Sequence, residues 1–165
     1  MYTMKEYKEG NLTFIELRSE ANSSWLKVVP ERGGIITSLG IRDEELLFIN
    51  EETLHNVEKN IRGGIPILFP ISGQLTNGQY EWDGKTYSMK NHGFARDLPW
   101  EVVEINTYEK EASIKIKLES NDETKTVYPF DFELVFTYIL RENELIIDQS
   151  YQNKSTKDMP LYAGF

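Results

Sequence analysis

Proton transfer near neutral pH calls for a group such as histidine, and this 165-residue chain has two, His55 and His92. His92 stands in the stretch NHGFARDLPW, Asn91 to Trp100, with Arg96 four residues on and Asp97 next to it. So turn-rich a setting admits two readings. Either the loop's polar side chains reach a ligand, or the histidine and arginine tie down their own backbone. His55 lies in a polar segment and reads as a solvated surface residue. A second stretch, NIRGGIPILFP from Asn60 to Pro70, places Arg62 just ahead of paired glycines. A guanidinium is a planar fork of donors that suits sugar hydroxyls, carboxylates or phosphate, and equally a surface salt bridge. The glycines fit a close approach to a ligand, a β-bulge or a tight crossing.

Several chemistries are disfavoured by what is absent. There is no GxSxG elbow for a serine hydrolase and no GxxxxGK[ST] loop for a nucleotide. Two histidines without cysteine make a weak metal site, so the reading calls for no metal and no cofactor. Trp82, Tyr87, Phe94 and Trp100 could form a sugar-stacking wall, although a small sandwich needs most of its aromatics as core. The net charge of -9 disfavours a nucleic-acid partner, which needs a basic face. No apolar run approaches a membrane span, and MYTMKEYKEGN has no signal-peptide core, so the expected location is cytoplasmic, off the membrane.

The elements that must position these residues read as strands. Ser113 to Leu118 alternates apolar and polar, as does Phe132 to Leu140 on its even positions. Further strands are expected at Leu12–Arg18, Trp25–Pro30, Ile35–Ile41, Leu46–Ile49, Ile65–Phe69, Trp100–Ile105 and Leu145–Tyr151. Asp83-Gly84 between Tyr80–Trp82 and Lys85–Tyr87 is a two-residue hairpin signal, and Asn77-Gly78 marks another turn. Only Glu51–Asn60 has room for a short helix, with Thr53 as its cap. The pattern predicts an all-β, antiparallel sandwich in one domain spanning 1–165.

Four stretches taken together resemble one family. IRGGIPILFPISG, NHGFARDLPW, YPFDFELVFTYIL and MPLYAGF follow in the order found in the aldose 1-epimerase (galactose mutarotase-like) superfamily, nearest its LacX-like and hexose-6-phosphate mutarotase-like branch. The resemblance implies a β-supersandwich and interconversion of the α and β anomers of an aldose or hexose phosphate. It implies that His92 is a site histidine near the sugar ring oxygen, that Arg62 binds sugar hydroxyls, and that Arg96 lines the same pocket.

In the family, the segment matching Met159 to Phe165 runs on into a His-Pro motif that carries the usual acid, with a glutamate base much later. On this resemblance the chain corresponds to the N-terminal part of a mutarotase, a single truncated domain that is expected to be inactive as it stands. The alternatives are a non-catalytic carbohydrate-binding module and a β-sandwich assembly component. A sandwich cut short would expose strand edges and apolar faces, which predicts a homo-oligomer.

Overall fold

A computed structural model describes all of residues 1–165. Eleven strands form two main sheets and a hairpin, every ladder antiparallel. The first sheet runs in the order of the chain through β1 (Tyr2–Glu9), β2 (Leu12–Ser19), β3 (Ser24–Val29), β4 (Ile35–Ile41) and β5 (Glu44–Glu45). The hairpin pairs β6 (Gln79–Trp82) with β7 (Lys85–Ser88), and Asp83-Gly84 forms its tip. The second sheet has β8 (Glu101–Thr107), β9 (Ala112–Glu119), β10 (Phe132–Arg141) and β11 (Glu144–Asn153), with β11 and β8 at its edges.

Alternation decides which face is buried. On β9 and β10 the even residues, Ile114, Ile116, Leu134, Phe136 and Tyr138 among them, point into the main core. There they meet Ile15, Leu17, Leu26, Val28 and Ile36 of the first sheet. Each such side chain contributes roughly 1.5–3 kcal/mol when fully buried, which makes this interface the main source of stability. The odd residues of β9 stay wet and pair across strands, as in Lys115–Glu104 and Lys117–Glu101. The opposite face of the first sheet carries a smaller cluster of Leu12, Phe14, Val29 and Ile35, closed by Leu54. Leu54 comes from α1 (Glu51–His55), a single turn capped by the Asn50 side chain on the Thr53 N–H.

Several expectations need correction. The helix ends at His55, and its cap is Asn50 rather than Thr53. A second short helix, α2 (Asp122–Val127), arises from a capping box between Asn121 and Thr124. β1 was not foreseen. Leu46–Ile49 is not a strand, because the Glu45 carboxylate accepts the N–H groups of Leu39 and Leu47 where a ladder would continue. Ile65–Phe69 is not a strand either. Pro66 and Pro70 cannot donate, and the run instead makes isolated bridges to Ile36, Gly164 and Gly93 in turn, with Ile71 just beyond it bridging to Tyr162.

Candidate functional site

Those isolated bridges bring distant stretches side by side. Leu68 and Gly164 exchange backbone bonds of 2.8 and 2.9 Å, and the Ser72 N–H donates to Tyr162. The Phe94 N–H donates to the Phe69 carbonyl, and Phe69 packs edge-on against Tyr128 at 5.6 Å and tilted against Phe132 at 5.0 Å. All four runs that carry the resemblance therefore converge around Phe69 to Gly73.

The His92 loop is seated on this run by glycine. Gly93 has φ 69°, and a β-carbon there would lie 2.2 Å from the Phe69 carbonyl oxygen. Only a residue without one lets the two backbones touch. His92, itself left-handed at φ 65°, is half-buried and bonded twice to Gly73. Its N–H donates to the Gly73 carbonyl at 2.8 Å, and the Gly73 N–H donates to its Nδ1 at 2.9 Å. No protein group bonds Nε2. The sole buried side-chain polar atom without a partner is Arg96 Nε, so the unpaired Nε2 of His92 opens to solvent.

Arg96 turns back along the same loop, and its Nη2 donates to the Asn91 carbonyl at 3.0 Å, on the peptide that joins Asn91 to His92. Its main chain packs on Gly33, whose β-carbon would meet the Arg96 carbonyl oxygen at 2.3 Å. Its side chain lines a small depression of about 30 Å³ with Arg32, Lys59, Asn60, Ile61, Pro66 and Asp97. Arg62 follows Ile61 directly. Its N–H donates to Thr53 Oγ1, its guanidinium is exposed, and it forms no salt bridge. Arg96 is thus close to His92 and shares a depression with the residues leading to Arg62. His92 does not line that depression.

Sequence reasoning missed two residues. Arg32 is buried, yet it donates to four carbonyls, those of Thr53, Leu54, Asn56 and Lys59, and so holds the segment that delivers Arg62. Gly73 was passed over because nothing in its spacing marks it as the partner of His92. Of the proposed stacking aromatics, Phe94 and Trp100 are core. Trp82 packs on Phe130 and Tyr87 on Tyr80. His55 is surface-exposed as expected, beside Phe14 and 3.6 Å from Glu51. The paired glycines serve a tight crossing, since a β-carbon on Gly63 would meet the Phe48 carbonyl oxygen at 2.1 Å.

A family model described as aldose 1-epimerase matches residues 15–165. The chain belongs to the aldose 1-epimerase family. Among its relatives, the plasmid-encoded LacX protein of Lactococcus lactis is 30% identical over 157 residues, covering 91% of this chain and 48% of LacX. The crystal structure of Slr1438 from Synechocystis superposes with a TM-score of 0.88 at 38% identity, over 98% of this epimerase-family chain and 55% of that one. A galactose mutarotase related enzyme from Lactobacillus acidophilus gives 0.67 at 34% identity, over 95% and 45%. This family member thus spans about half the length of the relatives it matches. Its antiparallel sandwich is the family's architecture. No helix in it is long and apolar enough to cross a membrane.

Proposed function

We propose that this chain forms a sugar-binding wall of an aldose 1-epimerase and takes an aldose or hexose phosphate against the His92 loop. The observation that carries the reading is the solvent-open Nε2 of His92 on a loop otherwise fixed by backbone bonds. In this reading His92 holds the sugar near its ring oxygen. Arg96 stiffens the loop and lines the site's margin, and Arg62 supplies donors for hydroxyls or phosphate.

Mutarotation also needs a base at the C1 hydroxyl and an acid at the ring oxygen, each typically worth roughly 10²–10⁴ in rate. Arginines stay protonated, and no carboxylate is bonded to His92, whose partner is the Gly73 main chain. His55 packs by Phe14 and Gly10, in the surroundings of the smaller cluster, so it does not supply the second group. The 165-residue polypeptide alone is therefore proposed to bind sugar without speeding anomer exchange. Amide shifts of residues 91–96 on titration with glucose, galactose or glucose 6-phosphate, lost in His92→Ala, would support it. Polarimetry with the same sugars should match a buffer blank. Acceleration abolished by His92→Ala would instead reveal a complete acid–base pair.

One observation favours a second reading, an assembly component. Leu161, Tyr162 and Phe165 are exposed, and Tyr162 borders an apolar cavity of about 210 Å³ with Ile71, Leu75 and Tyr80.

A further inference from the structure

We infer that Gly73 is a positioning residue that fixes which nitrogen of His92 faces the open side of the loop, and that this nitrogen, Nε2, carries the ring's proton. The inference rests on the sugar-site reading above for its functional meaning and on geometry for the rest.

The Gly73 N–H donates to Nδ1, so Nδ1 must offer its lone pair there. A neutral imidazole has one ring proton, which then resides on Nε2. Orienting groups on histidine are more often acceptors, a carboxylate or carbonyl that takes the proton of one nitrogen and leaves the other free as a base. A main-chain N–H does the reverse. What His92 presents outward is a donor with no lone pair, able to hold a sugar oxygen and unable to remove a proton from C1–OH. The return bond from the His92 N–H to the Gly73 carbonyl closes a two-bond clasp between residues 19 apart in the chain. Ring placement and tautomer are therefore both set by main-chain atoms of one residue.

That residue is glycine for its backbone angle. Its φ is 131°, which L side chains rarely adopt, while a β-carbon there would meet nothing within 4 Å. Gly84 at the hairpin tip, left-handed at φ 73° and equally open, provides a control in which an added side chain is also strained but does not bond the histidine.

The test is long-range ¹H–¹⁵N NMR of the 165-residue protein labelled in its histidine rings, at a pH where the rings are neutral. Wild type should show His92 protonated at Nε2 and unprotonated at Nδ1. Gly73→Ala should move that signal toward a mixture of tautomers, and Gly84→Ala should leave it unchanged. Titration with glucose 6-phosphate should be weaker by roughly threefold to tenfold in Gly73→Ala only, the worth of one oriented neutral hydrogen bond. A wild-type ring protonated on Nδ1 overturns the inference, as does Gly73→Ala with the wild-type pattern. If the tautomer results hold and no sugar binds wild type, the sugar reading fails while the role of Gly73 stands.

Discussion

The Tyr138 hydroxyl donates to the Gly34 carbonyl at 2.8 Å, joining the second sheet to the loop before β4 from inside the core. The phenol is fully buried, so this bond is what makes a polar group tolerable there. Tyr138→Phe should leave the Gly34 carbonyl without this donor and cost roughly 1–3 kcal/mol. Urea unfolding should show a lower midpoint at an unchanged slope.

Burial pushes the Tyr80 phenol up to about 12, with Tyr87 adding to the effect, and burial also raises Tyr128. The folded state therefore resists ionisation that the unfolded chain undergoes near pH 10. The stability from this difference is fully present below pH 10 and is lost as pH rises through about 12. Chemical denaturation between these limits should show a steep fall, made shallower by Tyr80→Phe.

Gly93→Ala should be far more damaging than Gly84→Ala. Both are left-handed, but at Gly93 the new β-carbon collides with the Phe69 backbone, which cannot move without dislodging the run to Gly73. The expected losses are more than about 2 kcal/mol for Gly93→Ala and about 1 kcal/mol for Gly84→Ala. Thermal melts of the two variants decide the order.

Arg32→Met should leave the carbonyls of Thr53, Leu54, Asn56 and Lys59 without their shared donor. A loss on the order of 3 kcal/mol is expected, concentrated in one segment. Hydrogen exchange should quicken at residues 53–62 and stay slow in β9 and β10. Uniformly faster exchange would mean that Arg32 supports the whole core.

β11 is a ten-residue edge strand whose ladder runs without a bulge, and it has no lysine, arginine or proline to deter pairing. With Tyr162 and Phe165 also exposed, the protein should self-associate with concentration in light scattering. Tyr162→Ser with Phe165→Ser should reduce that association. A monomer at high concentration in the unaltered protein would refute it.

The strands that carry a run or stripe of apolar residues were legible. Ile35–Ile41 was read to the residue, and β9, β10, β11 and the Asp83-Gly84 hairpin within one or two. Where an element lacks an apolar stripe, hydrophobic periodicity is silent. β1 buries only Tyr2 and is otherwise a wet edge, and α2 buries only Thr124. The capping pair Asn121 and Thr124 was the one available signal for that helix. At the candidate site, side-chain types could suggest His92, Arg62 and Arg96. The partners that fix two of them are carbonyls and N–H groups, which every residue shares and no sequence displays.

The grip of Arg32 on four carbonyls has a consequence for variation. A clamp that reads main chain is indifferent to the side chains threaded through it. The stretch from Thr53 to Lys59 can therefore change its outward chemistry while keeping its course, apart from Leu54 inside, Thr53 beneath Arg62 and Asn56, whose Oδ1 accepts the Glu58 N–H. A library randomised at His55, Val57 and Glu58, all exposed, would present new surface chemistry on an unaltered scaffold.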